Sequence, residues 1–169
     1  MVCVFVLGGC GGRHPRNYPV PESRRLEADL GSAWESVSRI LTDHGYRIRE
    51  SDRAEGVVET DWLTVNADYS ANVFLTQNED RYSDCGKPGL GRSYRGKQAR
   101  LVLNLSAAGA HHTELLVRAA FRTERQSIFA SSPTALECRS RGRLEEELLI
   151  EAQVRALANP LQRILRGAE

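Results

Sequence analysis

Residues 32–63 read SAWESVSRILTDHGYRIRESDRAEGVVETDWL, and the reading of this run decides the fold. From Ser32 to His44 the apolar residues Trp34, Val37 and Leu41 fall at i, i+3 and i+7, the spacing that lines one face of an α-helix. Ser32 with Glu35 three residues later predicts a capping box at its start. Gly45 predicts its stop, because a glycine takes the left-handed conformation that ends a helix. The period then changes to two: Tyr46 and Ile48 alternate with Arg47 and Arg49, a half-buried strand. A short connection, Asp52 to Gly56, leads to a second strand from Val57 to Leu63, hairpinned to the first.

Strands also dominate the rest of the chain. Leu101, Leu103 and Leu105 alternate with polar residues, as do Leu115, Val117, Ala119 and Phe121, and Gly109 to Thr113 joins the two runs into a long antiparallel hairpin. Leu26, Ala28 and Leu30 predict a first strand within residues 25–30, and Ala71 to Thr76 a further one. Asn78 to Gly96 reads as a long polar, glycine-rich loop, and Gln126 to Ser140 as a second irregular stretch. A closing helix is expected from about Gly142 to Ala158, interrupted at Asn159-Pro160, with a last turn to Arg166. The expected class is α+β: a two-layer sandwich, an antiparallel sheet with a short N-terminal helix and a long C-terminal helix packed on one face.

The N-terminus gives the setting. Leu7-Gly8-Gly9-Cys10 follows an apolar run and reads like a bacterial lipobox, in which small residues fit the peptidase and the cysteine thiol takes the acyl chains. Nothing basic precedes Cys10 and the apolar run is short, which points to a signal peptide that begins upstream of Met1. Residues 1–9 are then residual signal peptide, and 10–23 a lipidated cysteine and a proline-rich linker. Residues 24–169 form a single domain. With Cys3 lost and Cys10 acylated, Cys85 and Cys138 remain and are expected to form a disulfide in an oxidising compartment. A net charge of +1 with interspersed acids and bases gives no case for nucleic acid. No segment has the ~20 apolar residues of a membrane span, so the expected membrane attachment is the lipid at Cys10.

The pattern Trp34-x-x-Val37, Leu41, Gly45-Tyr46-x-Ile48, Asp52, Gly56-Val57-Val58-x-Thr60-Asp61-Trp62 resembles the repeated domain of the BamC-like lipoproteins, accessories of the outer-membrane β-barrel assembly machine. The likeness covers residues 26–62 well, and beyond them only the order of elements agrees. It implies a helix-grip fold, an envelope protein partner and a periplasm-facing position. Those proteins carry two such domains, whereas one is read here, so the fold transfers more directly than membership of the machine. Gly11 is not the Asp that retains lipoproteins at the inner membrane, which makes the outer membrane the expected location.

No local signature of nucleophilic or metalloprotease chemistry is present, so a non-enzymatic module without cofactor or metal is expected. His111 and His112 are adjacent in a hairpin turn, where neighbouring side chains point apart. Arg139, Arg141 and Arg143 form a small basic cluster before the closing helix. That helix carries two stripes. Leu144, Leu148, Leu149, Ala152 and Ala156 suit the sheet, while Ile150, Val154 and Leu157 lie nearly opposite and form the candidate partner-binding surface unless the Pro160 segment folds back over them. The alternative role, a small-ligand or lipid-binding module, would need an apolar cavity lined by Trp34, Tyr46, Trp62 and Leu148.

Overall fold

The computed structural model describes residues 13–72 and 81–166, with backbone alone for 67–72 and 159–166. In chain order the elements are β1 (Arg24–Leu26), α1 (Leu30–Asp43), β2 (Ile48–Asp52), β3 (Val57–Thr60), β4 (Leu63–Asn72), β5 (Ser83–Asp84), β6 (Arg92–Ala107), β7 (Thr113–Ser127), β8 (Thr134–Ser140) and α2 (Arg143–Arg166). The eight strands form one open sheet in the order β2-β3-β6-β7-β8-β5, with β4 continuing along β6 and β1 along β7. Every pairing is antiparallel. The class is α+β, as the alternation of periods requires.

The long hairpin is the spine. Leu101 pairs with Ala119, Leu103 with Val117 and Leu105 with Leu115, so the apolar positions of both strands share one face. On that face α1 packs against β6, α2 against β7 and β1, and the two helices against each other. Val37, Ile40 and Leu41 of α1 and Leu144, Leu148 and Leu149 of α2 are buried there. Each fully buried aliphatic side chain of this kind contributes about 1.5–3 kcal/mol.

Helix α1 starts one turn earlier than its sequence suggests. Asp29, not Ser32, is the N-cap: its carboxylate accepts the Ser32 N–H at 2.9 Å and the Ser32 hydroxyl at 2.8 Å. A carboxylate at that end also meets the positive pole of the helix dipole. The early start shortens β1 to three residues, and Ala28 is buried just beyond it, where its carbonyl accepts the Thr113 hydroxyl. Tyr46 is buried as expected, but Ile48 is not, because β2 is the outermost strand and both helices lie elsewhere.

The expected strand from Val57 to Leu63 is two strands. β3 stops at Thr60, and β4 resumes at Leu63 against an earlier part of β6. The Leu101 N–H, left without a strand partner at the break, donates instead to Thr60 Oγ1 at 3.0 Å. Such a side-chain substitute is required in the core, because an unpaired buried N–H costs about 1–3 kcal/mol. The strand expected at Ala71 to Thr76 falls partly outside the described residues, and its described part belongs to β4.

Two expectations in the C-terminal half are corrected. Thr134 to Ser140, read as irregular, is β8. Leu136 and Cys138 are covered and alternate with exposed Glu137 and Arg139, a period of two carried by only two apolar residues. The closing helix does not break at Pro160: α2 is one helix to Arg166. A proline there removes one hydrogen bond to the preceding turn and leaves the rest of the ladder in place. The continuous helix also means that the Pro160 segment does not fold back over Ile150, Val154 and Leu157.

Candidate functional site

Traced backwards from β1, the segment from Pro21 to Arg13 runs beside β8 and β5 as a strap. Arg118 Nη1 donates to the Pro21 carbonyl at 2.8 Å, and the Arg141 guanidinium lies over the Tyr18 ring at 5.2 Å. Asp84 is the latch. Its Oδ2 accepts the Tyr18 hydroxyl at 2.9 Å and the Arg16 N–H at 3.1 Å, and its Oδ1 accepts the Gly86 N–H at 2.7 Å. Burial pushes the Asp84 carboxyl up, but these hydrogen bonds and the Arg13 charge outweigh it and hold the pKa below the ordinary value. The Lys87 N–H donates to the Arg13 carbonyl at 2.9 Å. Two glycines make room: a Cβ on Gly86 would sit 2.1 Å from the Arg13 oxygen, and one on Gly142 would sit 2.6 Å from the Pro19 oxygen. Both have positive φ, +73° and +76°, which glycine adopts without strain.

Next to Gly86, Cys85 is disulfide-bonded to Cys138, as the sequence led us to expect, with the two Cα atoms 4.2 Å apart. The bond ties β8 to the stretch that ends at Leu90. That stretch meets the β7–β8 connection, where the Ile128 N–H donates to the Gly91 carbonyl at 2.9 Å. Here Phe129, Ile128 and Leu90 are 84, 79 and 62% exposed, more than any other large apolar side chain among the described residues. Beside them is a groove of about 490 Å³, lined by Ile128, Ala130 and Pro133 together with Arg92, Ser127 and Ser131. Periodicity could not find this tip, because its residues lie nearly forty positions apart and meet only through the hairpin. The one available signal was the pair Ile128-Phe129 inside a polar stretch.

The candidate partner-binding residues sit elsewhere. Ile150, Val154 and Leu157 are 45, 60 and 52% exposed on the outer face of α2, and Leu148, Leu149, Ala152 and Ala156 are buried on its inner face. The ridge is flanked by a polar clasp to the end of α1. His44 Nε2 lies 2.7 Å from Glu151 Oε2, and Arg155 bonds Asp43 at 2.8 Å and Glu151 at 2.7 Å. Burial raises the Glu151 carboxyl, but its contacts with His44 and Arg155 bring it below the ordinary value. In sequence the 4-3 spacing of Ile150, Val154 and Leu157 continues at Leu161 and Ile164.

The remaining sequence candidates are dispersed. His112 pairs with Glu27 at 2.9 Å. Of the arginine cluster, Arg141 stacks on the strap while Arg139 and Arg143 are exposed. Trp62 stands on the outer face of the sheet, with Arg122 and Arg100 at 4.2 and 5.2 Å from its ring. It therefore does not share a cavity with the buried Leu148 under the helices. Tyr46 is held in the core, where burial, then Tyr82 and Glu145, push its pKa up to about 12. No group of three or more His, Cys, Asp or Glu at metal-binding distance occurs among the described residues. No helix among them is long and apolar enough to cross a membrane. Cys10 lies outside the described residues. The chain matches no protein-family model and no curated protein.

Proposed function

We propose that this protein is a non-enzymatic scaffold module of the cell envelope, lipid-anchored through Cys10 at the outer membrane and facing the periplasm, which binds a protein partner along α2. The observation that carries the reading is the exposed ridge Ile150, Val154 and Leu157 on a helix whose opposite face is already filled. Apolar residues at 4-3 spacing are what a second helix needs in order to pack knobs into holes, so the partner presents a helix. Helix α2 has 24 residues, about 36 Å of contact length. The finer fold reading is a helix-grip arrangement, the long closing helix laid across the sheet. The specific role, on the likeness of residues 26–62, is accessory to β-barrel assembly.

The test is affinity capture from detergent-solubilised envelopes with the full gene, wild type beside Cys10→Ala and beside Ile150→Glu/Val154→Glu. Co-purification of a barrel-assembly subunit that is lost in the double variant supports the role. An anchored protein that captures no such subunit removes it. Equal solubility of wild type and Cys10→Ala removes the lipid anchor.

A further inference from the structure

The exposed tip at Leu90, Ile128 and Phe129 has no task in the reading above. Three observations define it. The first is layered polarity: three exposed apolar side chains at the extremity with arginines just behind them along the strands, and a groove that Ile128, Arg92 and serines line together. Arg92 pairs in register with Ser127, and Arg125 with Tyr94, so both cations stand within two or three residues of Ile128. Neither is paired with a carboxylate among the described residues. Lys87, also exposed, lies on the approach to Leu90.

The second observation is direction. The strap leaves β1 beside the start of β7 and runs the way β7 runs, past Arg118 and Asp84 to Lys87. It therefore delivers the N-terminal end of the chain towards the tip. Arg13 is hydrogen-bonded to Lys87, which is three residues from Leu90, and Cys10 is three residues before Arg13. Three residues span at most about 11 Å. The third observation is rigidity. The Ile128 N–H to Gly91 bond and the Phe129 N–H to Ser127 Oγ bond at 3.2 Å fix the backbone of the apolar pair, whose side chains lie over Gly91, and the Cys85–Cys138 bond ties the strands behind it.

We infer that the tip of Leu90, Ile128 and Phe129 inserts into an anionic phospholipid surface, with Arg92 and Arg125 at the headgroup level. Apolar groups below cations match the order in which a bilayer presents hydrocarbon and phosphate, whereas a flat protein surface presents no such layering. The Arg92 groove, rimmed with serines, suits a headgroup phosphate. An acylated Cys10 by itself sets no orientation of the domain, and a second contact at the surface does. The proximity of the anchor rests on the lipoprotein reading; the layering of the tip does not.

The test uses the full chain as Cys10→Ala, which removes any contribution of acylation. Vesicles of phosphatidylglycerol and phosphatidylethanolamine (30:70) are compared with phosphatidylcholine alone by flotation, and Phe129→Trp reports insertion by its emission. The inference expects flotation with the anionic vesicles, a blue shift of the Trp, and at least a tenfold loss of binding in Ile128→Glu/Phe129→Glu. Ile150→Glu/Val154→Glu should float as the parent does. Equal flotation of the tip variant, or an unshifted Trp, overturns it. So does loss of an envelope protein from detergent capture in the tip variant while vesicle binding is unchanged, because that outcome makes the tip a protein contact. Failure of Cys10 acylation leaves these results standing and removes only the anchoring reading.

Discussion

The two apolar exposures of this molecule differ in how they are made. The α2 ridge is local: Ile150, Val154 and Leu157 share a face because 3.6 residues make a turn, whatever the rest of the chain does. The tip is non-local: Leu90 and Gly91 come alongside Ile128 and Phe129 only because β6 and β7 pair from Arg92–Ser127 to Ala107–Thr113. They also differ in support. The ridge stands on a filled core and is flanked by the Asp43, His44, Glu151 and Arg155 clasp. The tip end has little core beneath it and depends on a disulfide, a latch and two glycines. A protein can therefore lose the tip end while it keeps the ridge, and that asymmetry is testable.

The largest effect should come from the disulfide. Its partners are 53 residues apart, and closing a loop of that length stabilises the fold by about 4 kcal/mol. For a domain of this size Cys85→Ser should lower Tm by about 8–16 °C by calorimetry. Hydrogen exchange should rise first in β5, β8 and the strap, with the inner face of α2 still protected. Equal loss of protection at both ends would break the comparison.

Gly86→Ala comes next. The new methyl would meet the Arg13 carbonyl at 2.1 Å on a backbone of φ +73°, so the strap must leave its seat. Such strain costs about 1–3 kcal/mol. Limited proteolysis should cut within residues 13–21 in the variant and not in the parent, and an uncut variant would show that the strap is not held there.

The latch should also open with acid. Asp84 has a lowered pKa in the fold, so its contribution is fully present above the ordinary Asp value of about 3.9. It is lost as pH falls through the lower, folded value. Cleavage of the strap should rise over that acidic window in the parent, and Asp84→Ala should already be cut at neutral pH and show no further step.

The smallest effects should come from the exposures themselves. Ile150→Ser and Phe129→Ser remove side chains that already face solvent, and each should change unfolding free energy by less than about 0.5 kcal/mol in urea. A larger loss at either position would mean that the residue is structural, and would remove it as a binding surface.

How far the sequence carried the fold depended on how local the signal was. The alternations of β6 and β7, the stripe of α1 and the two stripes of α2 were all legible, because each repeats within a few residues. The Cys85–Cys138 pair followed from counting cysteines. β8 was missed because its alternation, Leu136 and Cys138 against Glu137 and Arg139, is only two apolar residues long; the Asp29 cap was not read either, because Ser32 with Glu35 offers an equally good cap one turn later. The proline at 160 misled for a related reason, as a local breaker does not stop a helix that runs on either side of it.

By itself, then, the amino-acid sequence determined the elements whose hydrophobic period is written within one segment, together with the ridge on α2 that follows from helical geometry. The tertiary structure alone decided that residues 13–21 lie against Asp84, Gly86 and Gly142, and that Gly91 meets Ile128 and Phe129. It also placed Trp62 between arginines on the outer face, away from Leu148. Those arrangements join residues distant in the chain through the register of paired strands. Such a register is fixed by the burial of a whole sheet face and not by any short run of residues.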